Sequence, residues 1–145
     1  MNTEKWDRRF LELSQLVAGW SKDPSTKTGA VIISPDRTII AVGYNGFSKS
    51  MDDRPELYAD RETKYSRIVH CEMNAVLNAK QSVHGCTLYT WPFASCDRCA
   101  VHMIQAGITT FVFPVLPKEL EGRWRDSVIK TKSYFDEASV QWREI

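Results

Sequence analysis

A chain of 145 residues is long enough for one domain with a proper core, and 43% hydrophobic with 26% charged residues is the mix of an ordinary soluble globular protein. Nineteen basic against eighteen acidic side chains give a formal net charge of +1 with no dense Lys/Arg run. That balance argues against a long nucleic acid as partner and leaves single nucleotides open.

No apolar segment approaches the roughly 20 residues of a membrane span, and Met1–Trp6 lacks the apolar core of a secretion signal. Four cysteines in a chain this rich in core residues read as free thiols rather than a disulfide framework, so a reducing cytoplasm is expected.

Trp6, Phe10, Leu13, Val17 and Trp20 are spaced by 4, 3, 4 and 3, one apolar stripe of a helix over about residues 4–20. Ser21-Lys22-Asp23-Pro24-Ser25-Thr26 breaks it. Gly29–Ile33 and Thr38–Gly43 are strand-like runs joined by Ser34-Pro35-Asp36-Arg37, which predicts a hairpin. Tyr44-Asn45-Gly46-Phe47 reads as a turn at the strand end, a common place for a ligand contact. Ser48–Arg67 is polar and charge-mixed, a long loop with at most a short helix, and loops of that length tend to be functional.

From His70 the pattern is helical again, with Met73, Val76, Leu77 and Lys80 along one side and Ala75 and Ala79 beside them. Gly85–Thr90 is a third strand, and Cys96 opens a helix with Ala100, Met103 and Ile104 on its apolar face and Gly107 at its stop. Thr109–Phe113 is a fourth strand; Leu120, Trp124, Val128 and Phe135 fit a long last helix, and Ser139–Trp142 a short fifth strand. Alternating strands and helices predict an α/β sheet covered on both faces, its third, fourth and fifth strands parallel with right-handed crossovers.

The chemistry concentrates in His70-Cys71-Glu72 and Cys96-Asp97-Arg98-Cys99. Taken singly, Cys-x-x-Cys also suits a redox dithiol, His70 a packed histidine and Glu72 a solvated helix residue. Taken together, one imidazole and two thiols form a three-ligand zinc set that leaves a position for water, with Glu72 near the metal but not needed to complete it. Both segments sit at predicted helix starts, where partial positive charge favours thiolates. Two thiolates and an imidazole nearly cancel the charge of Zn²⁺, so a neighbouring base is needed. Glu72 is the expected proton shuttle: it takes a proton from water, gives it to a ring nitrogen and later protonates the departing amine, while zinc-bound hydroxide attacks the amino-bearing carbon. The combination matches the H-x-E and C-x-x-C signature of zinc deaminases. Cys71 and Cys86 read as packing residues, His84 and His102 as non-ligands, and Arg98 as either a partner of the thiolates or a solvated side chain.

Ser21–Thr26 with Gly29-Ala30, Gly43-Tyr44-Asn45-Gly46-Phe47, Thr63-Lys64-Tyr65, His70-Cys71-Glu72-Met73-Asn74-Ala75 and Gln105-Ala106-Gly107-Ile108 resemble the deoxycytidylate (dCMP) deaminase family of the zinc-dependent cytidine deaminase superfamily. The likeness runs from about residue 5 to 113; the zinc motif specifies the superfamily, and Tyr44-Asn45-Gly46 with Asp52-Asp53 the deoxycytidylate branch. It implies a three-layer α/β/α fold around a five-stranded mixed sheet, one catalytic Zn²⁺ per chain on His70, Cys96 and Cys99, hydrolysis of dCMP to dUMP at C4 of cytosine, and assembly as a homo-oligomer, usually a hexamer. It also implies that Asn45 contacts sugar or phosphate with Gly46 leaving room, and that backbone near Ala30 and Ser95 lines the base.

The chain departs from the family in three places. Ser95 stands where the family has Pro, and Trp20 where many relatives have Arg, which leaves Lys22, Lys64 and Arg61 as cations for a phosphate. Relatives that respond to dCTP and dTTP often carry glycine after Tyr-Asn-Gly, and Ser48-Lys49-Ser50-Met51 has none. The competing readings are a deaminase of another cytosine nucleoside or nucleotide, a tRNA adenosine deaminase, a non-catalytic zinc nucleotide-binding module and a dithiol oxidoreductase. The even charge balance weighs against tRNA, Glu72 against a purely structural site, and His70 with Glu72 against a dithiol enzyme.

Overall fold

A computed structural model describes residues 3–145; Met1 and Asn2, part of the stretch read above for a signal, lie outside the described residues. Helix α1 (Thr3–Ala18) leads into the hairpin β1 (Gly29–Ile33) and β2 (Ile39–Tyr44). After β3 (Gly46–Phe47) come the short helices α2 (Pro55–Ala59) and α3 (Arg61–Arg67), then β4 (Ile68–Val69) and α4 (Cys71–Ala79). The chain closes with β5 (Thr87–Trp91), α5 (Asp97–Gln105), β6 (Thr110–Phe113), α6 (Glu121–Glu137) and β7 (Gln141–Glu144).

The main sheet has five strands in the order β2-β1-β5-β6-β7. The hairpin and β1–β5 are antiparallel, β5–β6 and β6–β7 parallel, so the sheet is mixed. Strand alternation splits its side chains between two cores. Val31, Ile33, Tyr89 and Val112 meet Phe10 and Leu11 of α1. Ala30, Ile32, Leu88, Phe111 and Phe113 face the other way, into a core that contains Ala75 of α4, Met103 of α5 and Phe135 of α6. That is the expected three-layer α/β/α arrangement. Phe135, fully buried and stacked on Phe111 at 4.0 Å, anchors α6; removing such a ring costs about 3–5 kcal/mol.

Two glycines set how closely helices approach the sheet. A Cβ on Gly43 would lie 2.4 Å from the Ala75 nitrogen and 2.5 Å from the Cys71 oxygen, and one on Gly29 would lie 2.2 Å from the Ser14 oxygen. Backbone-on-backbone contact at Gly43 falls on Cys71 and Ala75, two small residues that are buried on α4 with Glu72 and Ala79. Leu77, on the side of the helix read as carrying Met73 and Val76, is 58% exposed.

Three other expectations change. Helix α1 ends at Ala18, and Trp20 lies beyond it, 55% exposed and edge-on to Tyr44. The last strand falls two residues later than its hydrophobic run suggested. The stretch from Ser48 holds two short helices, α3 capped by Asp60, whose carboxylate accepts from the Thr63 nitrogen. A second, two-stranded antiparallel ladder pairs Gly46 with Val69 and Phe47 with Ile68. Strands of two residues carry no periodicity to read, yet this one ties the Asn45 turn to the residue just before His70.

Candidate active site

His70 and Cys96 are the N-cap residues of α4 and α5, both with extended backbone. Cys99 lies in the first turn of α5, its N–H donating to the Cys96 sulfur at 3.4 Å. The His70 Nδ1 is 3.4 Å from Cys96 Sγ and 3.3 Å from Cys99 Sγ, and the three donor atoms lie within 4.8 Å of one another. Zinc with S and N ligands at about 2.3 and 2.0–2.1 Å in tetrahedral geometry puts N and S about 3.6 Å apart, so the donors present fit that ion. Hard cations such as Mg²⁺ or Ca²⁺ would want oxygen donors that this cluster lacks.

Helix α6 holds the Cys96 loop in place. Thr131 donates to the Ser95 carbonyl at 2.8 Å, and Ser127 bridges Asp97, donating to its carboxylate at 2.7 Å and accepting from its N–H at 3.1 Å. Thr131 and Ser95 are both buried, so this strap is shielded from water.

The donors share their protons unevenly. A hydrogen bond from the Cys99 thiol, aided by His70, pulls the Cys96 thiol well below the ordinary thiol range, against the effect of burial. Cys99, which keeps the shared proton, is pushed up in return. His70 is raised, first by its hydrogen bond to Cys96. Binding a divalent ion would release these protons.

Glu72 is 4% exposed, with Oε1 4.0 Å from His70 Nδ1. Burial raises its carboxyl, and the charge on Cys96 raises it further, while His70 opposes both. A carboxyl held toward neutrality is suited to carry a proton rather than to act as a permanent anion.

These groups open onto a cleft of about 580 Å³, solvent at its mouth included. Ile68, Trp91, Phe93 and Ala94 supply apolar wall, and Asp23, Asn45, Lys64, Tyr65 and Arg123 a polar rim.

The structure sorts the remaining expected site residues. Asn45 and Lys64 line the cleft. Both Nδ2 protons of Asn45 are already committed, to Asp23 at 3.2 Å and the Thr26 carbonyl at 2.9 Å, and its Oδ1 accepts from Thr28. Lys64 is buried against Asp23 at 2.8 Å.

Ala30, Gly46, Ser95 and Lys22 are not part of the wall. Ala30 is fully buried in the central strand β1, between Gly43 and Thr90. Gly46 is taken up in the small ladder. Ser95 is buried behind the site; its Oγ has no partner among the described residues, but is close enough to Glu72 to favour the ionised carboxylate, a smaller effect than burial. Lys22 pairs with Asp53 at 2.8 Å, both side chains at least half exposed.

Cys71 and Cys86 are buried core residues, and Arg98 is exposed, so the solvated reading holds for it. His102 bonds the Arg98 carbonyl through Nδ1. Sequence reasoning missed Asp23, Tyr65, Arg123, Ser127 and Thr131, because their roles arise from pairs 30 or more residues apart such as Asp97–Ser127.

A three-layer α/β/α sheet that presents one imidazole and two thiols from two helix starts, beside a buried carboxyl, defines a zinc-site protein of the nucleobase-deaminase type. The chain belongs to the family described as cytidine and deoxycytidylate deaminase zinc-binding region, whose model matches residues 4–115.

Among its relatives, an uncharacterized deaminase in the luxG 3' region of Aliivibrio fischeri is 37% identical over 137 residues, 94% of this chain and 91% of that protein. The deoxycytidylate deaminase of Pongo abelii is 32% identical over 148 residues, 97% of this chain and 79% of that protein. A crystal structure of dCMP deaminase from the cyanophage S-TIM5 in apo form superposes over the whole of both chains with a TM-score of 0.75 at 17% identity. A second crystal structure of that enzyme, in complex with dCMP and dUMP, gives 0.73 at 16% identity over 100% of this chain and 99% of the other. At such identities the likeness is one of fold.

Proposed function

We propose that this chain is a single deaminase domain that hydrolyses dCMP to dUMP and ammonia, with one Zn²⁺ held by His70, Cys96 and Cys99. The observation that carries this reading is the donor triangle of Nδ1 and two sulfurs with the buried Glu72 carboxyl beside it. A zinc ion bound there supplies positive charge that acidifies water and stabilises developing oxyanion charge. Glu72 receives the proton that water gives up as the C4–O bond forms and delivers it to the ring nitrogen; it then takes the second proton from the C4 hydroxyl and passes it to the amine as the C4–N bond breaks and ammonia leaves. Its raised affinity for protons in this buried setting suits both halves of that task. Trp91 and Phe93 give the base apolar surface and limit water in the cleft.

Asn45 remains a candidate for the sugar through the free lone pair of Oδ1, which accepts from a hydroxyl. Lys64, neutralised by Asp23, acts by holding the rim. Family likeness further supports a homo-oligomer, with a hexamer as the reference state, and dCTP or dTTP as effectors to be tried. Four free cysteines, two of them in the metal triangle, fit a reducing cytoplasm. Among the described residues no helix is long and apolar enough to cross a membrane.

The test is ammonia release by the zinc-loaded protein from dCMP, deoxycytidine and dCTP assayed side by side, with dCMP expected to be preferred. Glu72→Gln should keep the metal and lose turnover by roughly 10²–10⁴-fold. Ammonia from none of the three compounds, or a Glu72→Gln enzyme with substantial activity, would overturn the reading.

A further inference from the structure

A monophosphate substrate carries about two negative charges, which the cleft must meet with positive charge not already spent. Among the described residues, the cations that line the cleft apart from His70 are Lys64 and Arg123. Lys64 is spent: its ammonium lies 2.8 Å from Asp23, both side chains at least nine-tenths buried. Lys22 lies outside the wall, in an exposed pair with Asp53.

Arg123, in the first turn of α6, has no carboxylate partner among the described residues. Its one hydrogen bond there runs from Nη2 to the Tyr65 hydroxyl at 3.1 Å. A guanidinium has five N–H donors in a planar fork, so about four remain for a ligand, and that fork matches phosphate oxygens two at a time. Arg123 and Tyr65 stand where the cleft meets an adjoining hollow that also contains Arg61. Arg61 lies over the Tyr65 ring, its Cζ 5.7 Å from the centroid. Positive charge that is uncompensated therefore collects at the rim, on the α3–α6 side.

We infer that Arg123 is the residue that reads the 5′-phosphate, with Tyr65 as a positioning residue that holds its guanidinium at the rim. This rests on the function proposed above, and assigns to α6 the selection of a nucleoside monophosphate over the free nucleoside. It replaces Lys22 and Lys64 as phosphate partners, because Lys22 does not line the cleft and Lys64 is held in a buried pair with Asp23.

Binding of dUMP and of deoxyuridine, measured by calorimetry on the zinc-loaded protein, tests this without recourse to turnover. Wild type should bind dUMP more tightly than deoxyuridine by roughly tenfold to a hundredfold, the worth of hydrogen bonds to a charged group. Arg123→Gln should bring the two affinities together, and Arg123→Lys, which keeps the charge and loses the fork, should fall between. Arg123 is exposed, so Arg123→Gln should melt close to wild type. Inorganic phosphate should compete with dUMP on wild type and not on Arg123→Gln. An equal preference for dUMP in wild type and Arg123→Gln, or no preference in wild type, overturns the assignment. A loss of affinity for dUMP and deoxyuridine by the same factor also overturns it, since that marks a structural role. Failure of the deaminase reading shows separately, as an absence of ammonia from a protein that still discriminates dUMP from deoxyuridine.

Discussion

Replacing Asp23 with asparagine strips one charge from a pair sealed inside the rim of the cleft. The side chains of Lys64 and Asp23 are 9% and 3% exposed, with Nζ 2.8 Å from Oδ2. The same carboxylate accepts from the Ser25 nitrogen at 2.8 Å and from Asn45 Nδ2 at 3.2 Å. An asparagine keeps one acceptor oxygen and turns an NH₂ toward donors, leaving the Lys64 ammonium without its counter-charge. An exposed pair would lose about 0–1 kcal/mol, but breaking a buried one costs about 3–5 kcal/mol. For a chain of this length each kcal/mol moves the melting temperature by about 2–4 °C, so a drop of about 6–20 °C is expected. Thermal and urea unfolding of the zinc-loaded protein measure it. The double variant Asp23→Asn/Lys64→Met should recover most of the loss, since no uncompensated charge remains. A loss under about 1 kcal/mol, or a double variant no better than the single, would refute the reasoning.

Three further perturbations probe the scaffold. Gly43→Ala puts a Cβ 2.4 Å from the Ala75 nitrogen, so α4 must shift. The expected cost is about 1–3 kcal/mol in urea, with less zinc per chain because His70 rides on that helix; unchanged stability would contradict the packing. Thr131→Val keeps the shape but deletes the donor to the buried Ser95 carbonyl at 2.8 Å, and should cost about 1–3 kcal/mol in urea unfolding. No measurable change would show that the strap is idle. Tyr89 donates to Asp7 at 2.7 Å, and burial pushes its phenol well above the ordinary range. The folded state thus holds this proton more tightly than the unfolded chain. The contribution is complete below a free tyrosine pKa of about 10 and is lost as pH rises through the folded value. Wild type should lose more stability than Tyr89→Phe between about pH 9 and 11; equal losses would contradict the assignment.

The parts of this protein that were legible in its sequence are those with local signals. The hairpin announced itself through Ser34–Arg37 between two apolar runs, and the helix starting at Cys96 through its ligand spacing and the stop at Gly107, where φ is 98°. The zinc triangle was legible because residue types and spacing encode it, and the structure brings His70 to 3.3–3.4 Å from both sulfurs.

What was not legible depends on distant pairs. Nothing near Leu77 says that it faces solvent, since that follows from Gly43 drawing the alanine side of α4 against β2. Lys22 and Lys64 look alike as surface cations, yet one pairs with Asp53 in the open and the other is buried with Asp23. Arg123 reads as a polar position on an amphipathic helix, and only the approach of α3 to α6 puts it on the cleft.

X-ray absorption at the zinc edge of the purified protein, with metal content per chain, bears most directly on the central claim. One zinc per chain is expected, its protein ligands two sulfurs and one imidazole nitrogen, with a light-atom position left for solvent that changes when a cytosine nucleotide is added. A metal-free protein, or an ion enclosed by four protein donors, would contradict the account.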